Sequence, residues 1–264
     1  MKIYIPTYGR SERIQSSTFH KLPKALQKKT HLVVQAREKD KYSGYPIIIL
    51  PDNIRTVALT RQWIMDNHDI ATAKYLVMLD DDLRFDLRRK DDRTKFVPSK
   101  EQDILELFKT LKKALSTYIH AGILSREGGN RKCTDLVAHR MCRVLAYNVL
   151  KFRTSGAKFN RPLKQAPHEK FTMEDFDVTL QLLRAGHANI VLTDWVHGQG
   201  SSNIKGGCSE YRTLDVQAQS AKALSQLHPD FVKVVEKTTK TAWGGATRLD
   251  VIVQWKKAYE SSKR

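Results

Sequence analysis

Four short runs rich in β-branched and aromatic residues, MKIYI, HLVVQA, YPIIIL and YLVML, occupy the first half of the chain. Stretches of helical character such as VALTRQWIMDN lie between them. Runs that are apolar throughout, rather than at every second position, belong to strands covered on both faces, and helices inserted between strands supply the cover. The alternation predicts an α/β fold whose sheet is mostly parallel and flanked by helices. With 264 residues and 41% hydrophobic content, the chain has enough apolar material for one sizeable core.

Further elements follow from local chemistry. Ser99 with Gln102 three residues on has capping-box spacing, and Ile104, Leu107, Phe108, Leu111 and Leu115 then fall along one helical face. IHAGILSREGGNRK reads as a strand running into a glycine-rich basic loop, and MCRVLAYNV as another strand. Thr172 to Gly186 reads as a helix with a capping residue at its start and a glycine at its end. From about Ala218 the pattern turns helical and basic, with Trp243, Trp255 and Tyr259 among lysines, so that 1–215 is read as the main domain and 216–264 as a basic helical extension packed on it.

In open α/β sheets ligands bind beyond the carboxyl ends of the parallel strands, so chemistry is sought there. YLVML runs straight into Asp80, Asp81 and Asp82. In an extended backbone alternate side chains share a face, which puts Asp80 and Asp82 together and Asp81 opposite. Two carboxylates on one face repel unless a cation lies beside them. Mg²⁺ or Mn²⁺ prefers oxygen ligands and completes its shell with water and substrate phosphates, so the triplet is read as a metal site bridging to a diphosphate. The competing explanations are a solvated acidic turn, or pairing with Arg84, Arg88 and Arg89.

A second constellation is TMEDFDVTLQLLRAG. Thr172 as N-cap with Glu174 and Asp175 in the first turn is ordinary dipole and capping chemistry, but a carboxylate there also suits a general base that deprotonates an acceptor hydroxyl. The third is His197 in DWVHGQGSS, expected in a loop after a short strand, whose interest comes from its combination with the aspartates.

The charge balance points to the partner. Lys and Arg number 46 against 28 Asp and Glu, a net +18 that attracts polyanions. Nucleic acid is the leading partner class. No amphipathic Lys/Arg helix stands out and no apolar run approaches the ~20 residues of a membrane span. Pro6 and Arg10 arrive too soon for a signal-peptide apolar region, which leaves a cytoplasmic protein as the expectation. Cys133, Cys142 and Cys208 are odd in number and lack CxxC spacing, against both a disulfide framework and a zinc site. No obligate protein partner is inferred.

Taken in order, these residues resemble the GT-A glycosyltransferases of family-2 type, whose fold is a Rossmann-like sheet and whose donors are nucleoside-diphosphate sugars. IYIPTYGR resembles their first strand and nucleotide-contacting turn, VALTRQ their alanine-arginine element, LDDD their DxD motif, and MEDFD followed by LLRAG their ED helix. The resemblance implies that Asp82 holds Mn²⁺ or Mg²⁺, that Asp80 contacts the metal or the donor ribose beside Asp81, and that His197 is a second metal contact. It makes Asp175 the candidate base with Glu174 as its substitute. It places Pro6, Thr7, Tyr8 and Arg10 near the nucleotide of a UDP-sugar and Arg61 near its phosphates. Gln62 and Gly9 stand where the family commonly has Asn.

SREGGNR, GGCSEYRT and the basic tail further resemble bacteriophage glycosyltransferases that decorate hydroxymethylated pyrimidines such as 5-hydroxymethylcytosine in DNA. That resemblance implies DNA as acceptor, with Arg126, Arg131, Lys132 and Trp243 as candidates for phosphate contact and stacking. A polysaccharide, protein or small-molecule acceptor, a nucleotidyltransferase, and a non-catalytic DNA-binding protein are the competing functions.

Overall fold

The computed structural model describes residues 1–161, 170–199, 206–238 and 245–263. Its first half delivers the expected alternation: β1 (Lys2–Pro6), the short helices α1 (Thr18–Lys21) and α2 (Lys24–Gln27), β2 (Thr30–Gln35), β3 (Ile47–Leu50), α3 (Val57–Asn67) and β4 (Tyr75–Leu79). Then come β5 (Leu83–Arg88), β6 (Phe96–Pro98), α4 (Glu101–Thr117), β7 (His120–Ser125), β8 (Leu136–Val137), β9 (Val144–Asn148) and α5 (Val149–Ser155). The chain closes with α6 (Glu174–Arg184), β10 (Asn189–Gln199), α7 (Leu214–Leu227), β11 (Val232–Thr238), β12 (Thr247–Val253) and α8 (Trp255–Glu260).

The main sheet has the order β3-β2-β1-β4-β9-β7-β10-β5-β6, with β8 beside β10. β1, β2, β3 and β4 are mutually parallel, β9 is reversed between β4 and β7, and β10 runs parallel to β7. Both faces are covered, as the continuous apolar runs require. Ile3 and Ile5 of β1 pack with Leu107, Phe108, Leu111 and Leu115 of α4 on one face. Tyr4, between them, packs with Ile64 and Met65 of α3, Phe152 of α5, and Val178 and Leu182 of α6 on the other.

α6 is apolar on two sides. While Val178 and Leu182 meet the sheet, Leu180 and Leu183 join a separate cluster with Ala221 and Leu224 of α7, Val232 and Val251 of the β11–β12 hairpin, and Ala258 of α8. The C-terminal segment therefore clamps the helix whose first turn carries Glu174 and Asp175.

Three local expectations are corrected. α4 begins one residue later than its predicted cap: the Lys100 N–H donates to the Asp103 carboxylate at 2.8 Å, because the Ser99 N–H is already committed to the Phe85 carbonyl at 3.0 Å. Met173, not Thr172, is the residue preceding α6, and both the backbone N–H and the hydroxyl of Thr172 lie 3.2 Å from Ser220 Oγ on α7. Between α7 and α8 the helical pattern gives way to an antiparallel hairpin, in which alternating Val232, Val234, Val251 and Val253 supply an apolar face of period two. The predicted end of α6 holds: Gly186, at φ +83°, donates to Leu183 and His187 donates to Leu182, a Schellman ending.

A cleft at the carboxyl ends of the strands

A cleft of about 360 Å³ opens where the strands β1, β3, β4 and β10 end, the place open α/β sheets reserve for ligands. Pro6, Thr7, Tyr8 and Arg10 reach it from the turn after β1, Arg61 from α3, Asp80, Asp81 and Asp82 from the turn after β4, and Glu174 and Asp175 from the start of α6. Residues separated by as many as 169 positions in the chain are thus brought together as the sequence reading required.

The acidic triplet is arranged differently from a continued strand. The chain leaves β4 at Leu79 and turns, so Asp81 and Asp82 meet at one arginine, correcting the alternation that set Asp81 opposite Asp82. Arg10 Nη1 donates to Asp81 Oδ1 and lies 3.0 Å from Asp82 Oδ2, while Thr7 Oγ1 donates to Asp81 Oδ2 at 2.6 Å. Asp80 accepts from Arg61 Nη2 at 2.8 Å and also feels the Asp82 charge. Thr18 fixes the turn itself: its hydroxyl donates to the Asp80 carbonyl at 2.7 Å and accepts from the Leu83 N–H at 2.8 Å. Arg84, Arg88 and Arg89 do not serve the triplet; Arg84 and Arg89 pair with Asp86 and Asp91, and Arg88 is buried elsewhere.

Electrostatics follow from this packing. Burial pushes the Asp81 carboxyl up to about 6 even though Arg10 and Thr7 oppose the rise. Burial also raises Asp80, against the pull of Arg61. Arg61 is itself 5% exposed and donates through Nη1 to Glu174 and through Nη2 to Asp80, so one guanidinium ties the end of β4 to the start of α6. Glu174 is 4% exposed, and burial lifts its carboxyl from 4.5 to about 7 although Arg61 pulls it down.

That rise has a measurable sign. Between pH 4.5 and 7 native Glu174 holds a proton that the unfolded chain has released, so its contribution to stability is complete below 4.5 and fades as pH climbs through 7. Melting temperatures of the wild type and of Glu174→Gln, taken from pH 4.5 to 7.5, should show the wild type losing ground to the variant as pH rises; a constant difference would contradict the assignment.

Asp175 stands apart from its neighbour. It is half-buried in the cleft wall, forms no ion pair among the described residues, and its carboxylate accepts from the Phe176 N–H at 2.9 Å. It is the carboxylate of α6 left available to a ligand.

His197 is placed otherwise than the sequence suggested. It lies within β10, opposite Phe85 and Ser125, and not in a loop. It is fully buried, outside the cleft lining, with Nε2 3.8 Å from Cys142 Sγ and Nδ1 without a partner among the described residues. Burial, assisted by the charges of Arg143 and Arg140, lowers it to about 3, so the ring is neutral. Among the described residues no group of three or more His, Cys, Asp or Glu side chains converges as a metal cage. Asp80 and Asp82, with side chains 33% and 28% exposed, nevertheless offer the one or two hard oxygen ligands that suit Mg²⁺ or Mn²⁺ when phosphate oxygens complete the shell.

Of the nucleic-acid candidates, Arg126 pairs with buried Asp86, Arg131 is exposed, and Lys132 Nζ lies 3.2 Å from His139 Nε2; none lines the cleft. Trp243 lies outside the described residues. Trp255 is half-buried and meets the Phe176 ring edge-on at 5.3 Å, so it is a packing residue.

The glycine-rich loop 126–133 is organised from below. Arg88, 3% exposed, donates to the carbonyls of Thr193, Arg93, Asn130, Gly129 and Lys132. A second glycine segment packs on the turn after β1: Gly207 N–H donates to the Tyr8 carbonyl at 2.7 Å, and a Cβ on Gly206, at φ +99°, would fall 2.5 Å from Arg10 Cγ. The two positions departing from the resembled pattern have their own tasks. Gly9, at φ +65°, donates to the Glu38 carboxylate, and Gln62 is buried, accepting from the Phe159 N–H at 2.8 Å.

The sequence reading missed the arginines of the cleft wall. Arg55, Arg140, Arg143, Arg212 and Arg248 line it beside Arg10 and Arg61, and nothing in their spacing announces a shared site because four separate segments carry them.

The model of a protein family described as TAGT: TET-Associated Glycosyltransferase matches residues 1–207. Among solved structures, "Crystal structure of S. aureus TarS 1-349" matches at 14% identity with a TM-score of 0.44, over 85% of this chain and 66% of that one. A comparison with curated proteins gave no match.

Proposed function

From the premise that this chain belongs to the TET-associated glycosyltransferase family, we propose that it transfers a sugar from a UDP-sugar to a hydroxymethylated pyrimidine, such as 5-hydroxymethylcytosine, in DNA. The observation that carries the reading is the meeting, in one strand-end cleft, of the acidic triplet with Asp175, a carboxylate with no ion pair among the described residues. The net charge of +18 and the family's association with TET both favour a DNA acceptor over a neutral one.

In this reading the turn after β1 holds the nucleotide, with Thr7 and Arg10 anchored on Asp81. Asp82 and Asp80 would hold Mn²⁺ or Mg²⁺, whose chemistry when bound is to neutralise charge on the departing diphosphate. Arg10 and Arg61 keep the carboxylates oriented and contribute positive charge along the same wall. For an inverting transfer, Asp175 takes the proton of the acceptor hydroxymethyl group as its oxygen bonds to the anomeric carbon and the bond from that carbon to the diphosphate oxygen breaks. Glu174 is a weaker choice for the base because Arg61 already engages it. A base inside a duplex reaches such a cleft only by being extruded from the stack.

Mass spectrometry of hydroxymethylated DNA incubated with a panel of UDP-sugars and Mn²⁺ tests the reaction; mass gain by the modified and not the unmodified DNA is the expected result. If another acceptor takes the sugar while modified DNA does not, the DNA acceptor is wrong. Calorimetry of UDP binding should show that Asp82→Ala removes the manganese-dependent part of the affinity. An unchanged manganese dependence would move the metal elsewhere.

A further inference from the structure

Every acidic group of the triplet has an arginine partner, yet at the outer edge of the same cleft cations gather without an ion-paired carboxylate among the described residues. Lys132 from the glycine loop lies 3.2 Å from His139, and Arg140, the next residue, lays its guanidinium 4.6 Å over the Phe176 ring. Phe176 in turn meets Trp255 at 5.3 Å, and exposed Lys256 follows Trp255 at the start of α8. Burial and then the charges of Lys132, Arg140 and Lys256 all lower the His139 pKa, which keeps that ring neutral in the middle of the group. None of the three cations forms an ion pair with a described carboxylate.

The group is also held in place. Asn189, buried on β10, accepts from the His139 N–H at 2.9 Å and donates to the His139 carbonyl at 2.7 Å. Arg88 fixes the carbonyl of Lys132 at 2.7 Å. Arg140 feels Asp175, Asp250 and Glu127 at longer range, so it is Lys132 and Lys256, like charges delivered by separate elements to the same histidine, whose repulsion an anion lying across the group would relieve. Planar Arg140 lines the cleft next to Phe176, the neighbour of Asp175, so this cationic group begins beside the proposed base.

We propose that Lys132, Arg140 and Lys256 form a phosphate-binding rim that carries the backbone of the acceptor DNA strand past the cleft and presents the modified base to Asp175. This rests on the DNA-acceptor reading and adds where the strand lies. It makes the enzyme a reader of backbone as well as base, with Arg126 excluded from the path by its pairing with Asp86.

The test is fluorescence anisotropy with an oligonucleotide containing 5-hydroxymethylcytosine, comparing Lys132→Ala/Lys256→Ala with Lys112→Ala/Lys113→Ala. The latter removes the same charge from the exposed side of α4, outside the cleft. The rim variant should bind about 10- to 30-fold more weakly at 0.15 M salt, with the slope of log affinity against log salt shallower by roughly 1.4–1.8, the loss of two phosphate contacts. The α4 variant should change by less than about twofold. Equal losses in both variants would mean that only the overall field attracts DNA, and no loss in the rim variant would mean that the strand lies elsewhere; either overturns the rim. If the rim variant loses affinity but wild-type protein transfers no sugar to modified DNA, the surface stands and the acceptor assignment fails.

Discussion

Asp175→Asn lowers sugar transfer to hydroxymethylated DNA by about 10²–10⁴-fold, the span that a positioned general base contributes. The substitution keeps the shape of the side chain and removes only the ability to take a proton. Because Asp175 forms no ion pair with a described cation, its loss leaves no stranded charge in the fold. UDP affinity should stay within about twofold, so the loss appears in kcat. Glu174→Gln is the matched comparison: the new amide still accepts from Arg61, and the rate should fall by less than about tenfold. Single-turnover transfer measured for both variants separates the roles. A reversal, with Glu174→Gln the slower, would hand the proton to Glu174; an Asp175→Asn protein retaining more than about a tenth of the rate would remove the base from α6 altogether.

What could be read from residues alone was what depends on sequence neighbours. Four apolar runs and the periodic stretch VALTRQWIMDN became β1 to β4 and α3, since a strand or helix is specified mostly by its own alternation. The three aspartates were legible as a site because nothing in a strand needs them. Their pairing was not legible, since it depends on Arg10 arriving 71 positions earlier in the chain and Arg61 serving two elements at once. His197 shows the converse. Its glycine-flanked setting suggested a loop, but β10 continues through it because antiparallel β5 pairs with that segment, and β5, reading LRFDLR, has too many charges to look like a strand. Those charges are absorbed by tertiary partners: Asp86 takes Arg126, and Arg88 takes the carbonyl of Arg93 and four more on distant segments. The hairpin β11–β12 was hidden for a similar reason. Its lysines alternate with valines that acquire a partner only when α7 folds against them.

Arg61→Leu destabilises the protein by about 3–5 kcal/mol at neutral pH, the usual consequence of removing one member of a buried charge cluster. Arg61 is the shared counter-ion of Asp80 and Glu174, and without it both carboxylates face a low-dielectric wall. The protein's recourse is to protonate them: Glu174, already lifted to about 7 with Arg61 present, rises further, and Asp80 loses the charge that held its carboxyl down. Two consequences distinguish this from a simple packing defect. The deficit shrinks as pH falls toward 5, because protonation becomes cheap there, whereas a cavity would cost the same at both pH values. Arg61→Lys recovers only part of the loss, since one ammonium cannot reproduce the two-pronged contact through Nη1 and Nη2. Urea unfolding of the three proteins at pH 5 and 7.5 measures all of this. A loss below about 1 kcal/mol at pH 7.5, or one that ignores pH, would show that the link between β4 and α6 is carried by the apolar contacts of α6 and not by this arginine.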